Sequence, residues 1–151
     1  MKKRKYILPV VLIVIVGILG ASFYVYKEYN RKNTNLTDVK AKYALSADDM
    51  ISDFITNEKA GNEKYLAKVV EVSGRIKKVD TDPKGFSTIV LGDTASMSSV
   101  RCSLDTTIHA ATLQLAAGQT ITIKGVCTGY NADDLGIGSD VILNRCIQVK
   151  K

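Results

Sequence analysis

The chain has 151 residues, 46% hydrophobic and 24% charged, with three cysteines, one histidine and no tryptophan; once a membranous and linking N-terminus is set aside, about 110 residues remain, which is one domain with a modest core and no room for a second. The formal net charge is +6, but residues 1–33 carry seven Lys or Arg against Glu28 alone, while residues 34–151 carry fourteen side chains of each sign. The basic charge belongs to the N-terminal end and is no argument that the folded part binds a polyanion.

Tyr6 to Tyr26 is an uncharged, mostly apolar run of 21 residues, long enough to cross a hydrocarbon core of about 30 Å as a helix. Residues 1–5 form a basic flank, with Lys2, Lys3, Arg4 and Lys5, and the excess of positive charge keeps that end cytoplasmic. Residues 6–26 are therefore expected to be a transmembrane helix, an uncleaved signal anchor that delivers everything after it outside the cytoplasm. A cleavable signal peptide is the competing reading, because Gly20-Ala21-Ser22 follows a legitimate apolar core, but the run continues through Phe23 to Tyr26 past that cut. Both readings put the domain on the same, periplasmic side.

Residues 27–45 show neither helical nor strand periodicity and are read as a hydrated linker. A helix follows from Ser46, with Asp49 at capping-box spacing, Leu45 placed to staple onto Met50, and Met50, Ile51, Phe54 and Ile55 on one face. Asn57 to Asn62, with Gly61, is read as its end.

Tyr65 to Asp80 reads as one long bent strand. Leu66, Val70, Val72, Gly74 and Ile76 share one face, and Glu71, Ser73, Arg75 and Lys77 the other. Gly74 on the inward face permits sharp coiling, and Val79 out of phase signals a slipped register beyond it. Asp80 to Gly85 is a turn, with Pro83 and Gly85 placed to reverse the chain. It superficially resembles the opening of a calcium loop, but Lys84 stands where an oxygen ligand is needed and Leu91 where the closing glutamate belongs. Phe86 to Leu91 is the second strand and Ser98 to Leu104 the third. A short helix follows, with Ile108, Ala111 and Leu115 as its apolar positions and Gly118 as its stop. Gln119 to Tyr130 is the fourth strand and Asp140 to Lys150 the fifth.

A helix, three meandering strands, a short helix and two more strands is the layout of a mainly β, five-stranded Greek-key barrel, the OB-fold. The residues Asn62, Lys64, Tyr65 and Lys68, then Val70, Val72, Gly74, Ile76 and Val79, then Ile89, Leu91 and Val100-Arg101-Cys102, then Gly118, Ile121, Ile123, Gly125, Cys127 and Gly129-Tyr130, and finally Asp140-Val141, Leu143, Cys146 and Ile147 resemble the tRNA-anti-like OB-fold family of bacterial proteins over roughly residues 46 to 150. The resemblance implies a barrel over residues 46–151, related in fold to nucleic-acid-binding domains.

Such a barrel binds on the outer face of its second and third strands, between the loop joining strands one and two and the loop joining strands four and five. Arg101 and Ser103 on the third strand, Lys84 in the first loop, and Tyr130 and Asn131 at the second are the candidate ligand face. The second loop carries Asn131, Asp133, Asp134 and Asp140 without a basic residue, whereas a phosphate backbone requires a positive groove and stacked bases require aromatic platforms. Arg101, Lys124 and Arg145 could form at most a small basic spot. A protein, glycan or small envelope ligand is favoured over nucleic acid.

No catalytic, cofactor-binding or metal-binding residues are assigned. His109 has no acid placed by sequence to orient it, and Cys102, His109, Cys127 and Cys146 contain no C-x-x-C spacing. Export to an oxidising compartment favours a disulfide, and the near-symmetric placement of Cys127 and Cys146 about the last loop makes them the expected pair. Strict alternation puts Cys127 inward and Cys146 outward, a conflict that a bulge at Gly125 would resolve. Bridges from Cys102 to either partner remain alternatives. The chain is thus read as a membrane-anchored extracytoplasmic binding module and not an enzyme.

Overall fold

In a computed structural model the described residues are 4–29, 36–105, 108, 113–132, 135 and 137–149. The chain divides into two compact units, Met1–Thr34 and Asn35–Lys151. The first contains α1, Arg4–Tyr29, a helix of 26 residues. Its side chains are described only from Ile15 to Lys27, and among the described residues no helix is long and apolar enough to cross a membrane.

The second unit is mainly β. Its elements are β1 (Tyr43–Ser46), α2 (Ala47–Thr56), α3 (Glu58–Tyr65), β2 (Val69–Thr81), β3 (Ser87–Leu91), β4 (Ser99–Leu104), β5 (Thr120–Asn131) and β6 (Asp140–Gln148). β2 pairs antiparallel with β5 along Val69–Arg75 and with β3 along Ile76–Thr81. β3 continues to β4, β4 runs parallel to β6, and β6 returns antiparallel to β5. Five strands therefore close on themselves, the barrel that the element order predicts.

Gly74 stands where β2 passes from one set of neighbours to the other. A Cβ there would lie 2.9 Å from the Ala47 Cβ and 3.3 Å from the Leu91 Cβ, so the strand can turn only because no side chain separates it from α2 and β3. The register shifts between Ile76 and Lys78, which is the slip that Val79 signalled. Lys77, left at the bulge, donates from Nζ to the carbonyls of Ser96 and Ser98 at 2.6 and 3.1 Å.

Segments before β2 depart from the expectation. Part of the segment read as linker belongs to the folded unit: Leu36 is buried, Lys124 Nζ donates to the Val39 carbonyl at 3.1 Å, and β1 pairs parallel with β2 from Tyr43↔Val70 to Ser46↔Ser73. Ser46 caps α2 as expected, its hydroxyl accepting from the Asp49 N–H at 3.0 Å. Met50, Ile51 and Phe54 are buried, but Ile55 is exposed.

Asn57 ends α2, its N–H donating to the Asp53 carbonyl at 3.2 Å, but the residues after it form a second helix and do not lead straight into the strand. Asn57 caps α3, accepting from the Ala60 N–H at 3.0 Å, and Gly61 sits inside α3, where a Cβ would come within 2.7 Å of the Phe54 ring. The glycine allows α3 to pack on α2 and does not stop a helix. Tyr65 consequently ends α3, Ala67 takes a φ of 58°, and Leu66 is exposed where the strand reading had it facing the core.

Between α2, α3 and the barrel runs a chain of aromatic rings. Tyr43 and Tyr65 meet edge to face at 5.3 Å, Tyr65 and Phe54 at 5.8 Å, and Phe54 and Tyr130 stack at 4.9 Å. Asp53 ties the two helices together, accepting from Lys64 Nζ at 2.8 Å and the Tyr65 hydroxyl at 2.6 Å. The short helix expected between the third and fourth strands falls mostly on residues outside those described, as does His109.

Two outcomes follow from this packing. Gly74→Val is expected to destabilise the protein by about 1–3 kcal/mol, because both contacting Cβ atoms are held by backbone; Gly129→Ala, at a site where a Cβ meets nothing within 4 Å, is expected to stay within about 0.5 kcal/mol of wild type. Thermal or urea unfolding measures both. The Lys64 hydrogen bond, with that of Tyr65, holds the Asp53 carboxyl below its ordinary value, so its contribution is present above the unfolded-state carboxylate range and is lost as pH falls through the depressed value. Asp53→Asn should therefore be less stable than wild type at neutral pH, by a small margin because both partners are over 40% exposed. Unfolding curves of the two proteins should converge as pH falls below the depressed value.

Candidate ligand face

Alternation divides β3 and β4 cleanly. Ile89, Leu91, Val100, Cys102 and Leu104 point into the barrel and are buried; of the outward positions, Thr88, Arg101 and Ser103 are partly exposed, while Val90 and Ser99 are covered. The register sets Thr88 beside Ser103 and Val90 beside Arg101, then Ser99 beside Asp140 and Arg101 beside Ile142. Asp140 in turn stands opposite Asn131.

Asp140 organises the end of this face nearest the β5–β6 loop. Its Oδ2 accepts from Arg101 Nε at 2.6 Å, and its Oδ1 accepts from the Ser99 hydroxyl. The carboxylate is the more sheltered partner, with its side chain 20% exposed against 44% for Arg101. The guanidinium at the centre of the face is thus held and neutralised by a residue of the same sheet.

The other end is the β2–β3 turn. Asp82 Oδ1 accepts from the N–H groups of Lys84 and Phe86 at 2.9 and 2.8 Å, the Gly85 N–H donates to the Asp82 carbonyl at 3.0 Å, and Gly85 takes a φ of 87°. The aspartate is engaged in building the turn. Among the described residues no group of three or more His, Cys, Asp or Glu is placed to hold a metal ion. The turn presents Phe86 half-exposed to solvent.

Of the five residues singled out from the sequence, Arg101 and Ser103 lie on the outer face, with Lys84 and Asn131 at its two ends. Tyr130 does not join them. It pairs with buried Val141 and stacks on Phe54, lining instead a groove of about 420 Å³ with Ile55, Glu58, Ser98, Ala132 and Ser139. The three-cation spot is not assembled: Lys124 sits on β5 opposite Ile147 and donates to Val39, while Arg145 occupies a bulge in β6 at φ 56°. Sequence reasoning missed the roles of Asp140 and Phe86. The one sequence signal for Asp140 was its position at the start of a strand; Phe86, directly after a Pro-Lys-Gly turn, was read only as a strand residue.

The cysteines also depart from the expected register. Cys127 stands opposite Leu143, not Cys146, and all three thiols are free and buried. The extra residue that reconciles the alternation lies in β6 at Asn144-Arg145, on both of that strand's edges. Gly125 is a spacer: a Cβ there would stand 2.6 Å from the Cys146 sulfur.

Among solved structures, the fold is similar to that of a predicted nucleic acid-binding lipoprotein from Klebsiella pneumoniae subsp. pneumoniae, with a TM-score of 0.54 and 18% identity over 70% of this chain and 91% of that one. Looser likenesses include an asparaginyl-tRNA synthetase from Entamoeba histolytica, at TM-score 0.40 and 12% identity over 56% of this chain and 22% of that one. Another is the replication Factor A related protein from Methanobacterium thermoautotrophicum, at TM-score 0.35 and 16% identity over 56% and 83%. No curated protein matches the chain in sequence. A family model described as tRNA_anti-like matches residues 1–147, and the chain belongs to that family.

Proposed function

We propose that the protein is a membrane-anchored, extracytoplasmic binding module of the bacterial envelope, whose OB barrel engages a protein, glycan or small molecule through the outer face of β3 and β4 and performs no catalysis. The observation that carries this reading is the Arg101–Asp140 pair at 2.6 Å. Nucleic-acid faces of this fold rely on cations left available to phosphate and on exposed aromatics. Here the central cation is already neutralised, and Thr88 and Ser103 beside it offer hydroxyls suited to neutral or mixed-polarity groups. Phe86 at the margin supplies one apolar or stacking contact.

The anchoring half of the proposal is supported by the sequence of Tyr6 to Tyr26, uncharged and preceded by four consecutive basic residues, together with the helical conformation of the whole stretch in α1. The 21 apolar residues measure ~32 Å at 1.5 Å per residue when helical, which matches a bilayer core of about 30 Å.

Topology is decided by protease added to intact spheroplasts. The domain after residue 26 should be digested while the N-terminus stays protected, and protection of the domain would place it in the cytoplasm and overturn the anchoring proposal.

The ligand class is decided by single-stranded oligonucleotide binding. Wild-type protein should retain little DNA or RNA at about 0.15 M salt, and Asp140→Asn, which frees the guanidinium, should raise retention in a salt-dependent way. Tight, salt-sensitive binding by the wild type that Arg101→Ala abolishes would instead assign the face to nucleic acid. Photo-crosslinkers placed at Ser103 and Thr88 in the native membrane should then capture the envelope partner, with one at Thr122 on β5 as the control.

A further inference from the structure

Two of the three buried cysteines meet inside the barrel. Cys102 on β4 and Cys146 on β6 have no exposed surface, and they belong to the parallel strand pair, whose register steps from Cys102↔Leu143 to Leu104↔Cys146. Alternation from inward-facing Leu143 would send residue 146 outward. The extra residue at Asn144-Arg145, with Arg145 in the left-handed region at φ 56°, brings it back in. The Cys146 side chain enters the space left by Gly125, where an added Cβ would stand 2.6 Å from its sulfur; burial, and after it the neighbouring Cys102 thiol, push the Cys146 thiol well above its ordinary value. Cys127 is directed elsewhere, opposite Leu143 and against the Gly129 backbone.

We propose that Cys102 and Cys146 form a disulfide that staples β4 to β6 across the parallel seam of the barrel, and that Cys127 remains a thiol. A bridge requires Cα atoms within about 4.4–6.8 Å and facing side chains, and two fully buried, inward positions one step apart on adjoining strands are placed for it. The bridge would enclose a loop of about 45 residues that contains β5. β4 and β6 are brought together only after β5 has been laid down between them in the chain, so the staple would secure the contact that closes the barrel.

The step is a thiol–disulfide exchange with an oxidised disulfide carrier. The thiolate of one cysteine attacks a carrier sulfur, forming a mixed disulfide and releasing the other carrier sulfur as a thiolate. The second cysteine, losing its proton, attacks the protein sulfur of the mixed disulfide, the protein bridge forms, and the remaining carrier sulfur leaves. Two protein thiols are oxidised, two protons are released to solvent or to the carrier thiolates, and the carrier disulfide is reduced. Burial pushes the Cys146 thiol well up, so the closed barrel offers no thiolate there and the exchange belongs to folding, before the strands seal.

Trypsin separates the three cysteines, because Arg101, Lys124, Arg145 and Lys150 put Cys102, Cys127 and Cys146 on three different peptides. The full chain is refolded in detergent with glutathione disulfide as carrier, remaining thiols are alkylated, and the peptides are mapped without reduction. The expected product joins residues 102–124 to 146–150, lighter than the two thiol peptides by two hydrogens, with Cys127 alkylated. The oxidised protein should also melt roughly 10 °C or more above the reduced one, and Cys127→Ser should keep that difference. Three alkylated thiols, a bridge containing Cys127, persistent glutathione adducts, or equal melting of the two forms would each overturn the proposal. Because the assay supplies its own oxidant, its outcome is independent of where the domain resides, and it uses wild-type protein wherever the variant fails to fold.

Discussion

The barrel depends on one strand having two sets of neighbours. β2 runs 13 residues without interruption, and a strand that long lies in a single closed barrel only if it coils sharply near its middle. Gly74 meets that requirement by omission, since Ala47 of α2 and Leu91 of β3 occupy the space that a Cβ would need. The same approach seats the first turn of α2 against the strand, directs Met50 and Phe54 over the open end of the barrel, and lets Phe54 collect Tyr65 and Tyr130 around it. Closure of the sheet and the seating of α2 on it therefore depend on the same glycine.

The zero net charge of the folded part is also zero by arrangement. Arg101 is paired with Asp140, Lys64 with Asp53, and Lys78 with Asp80, while Lys77, Lys124 and Arg75 donate to loop or strand carbonyls. Pairs this exposed add little stability each. Their larger effect is on the surface field: cations drawn to carboxylates and backbone oxygens of their own fold present a weak field to an approaching polyanion.

Strands β2, β4 and β5 were legible because they alternate, and β3 and β6 because they are short runs rich in β-branched and apolar residues. The Ser46 cap and the slip beyond Gly74 were legible for similarly local reasons. What escaped depends on packing. Gly61 looks like a helix stop in isolation and acts as a point of contact with Phe54. β1 is four residues long, too short to show a period, and exists because β2 offers it an edge. The register of β6 could not be read because its bulge rests on Arg145 adopting a left-handed conformation that no arginine signals, and with the register went the expected Cys127–Cys146 pairing. On the ligand face, Arg101 and Ser103 followed from alternation alone, but Tyr130 was misplaced because its parity, set by pairing with Val141, turns it toward Phe54.

The bend and the ligand face are mechanically connected. Lys77, extruded at the bulge that follows Gly74, holds the Ser96 and Ser98 carbonyls. The Ser98 hydroxyl accepts from the Ser139 N–H, and the Ser139 carbonyl accepts from the Ser99 N–H, so the β3–β4 and β5–β6 loops are tied to each other through one serine cluster. Ser99 then donates to Asp140, and Asp140 fixes Arg101. A continuous run of hydrogen bonds thus joins the bulge in the core strand to the central cation on the outer face. The order matters physically: the guanidinium is positioned by a carboxylate that is itself positioned by backbone, which is the condition for a preorganised surface. The outer face therefore presents a fixed pattern of hydroxyls around one neutralised cation.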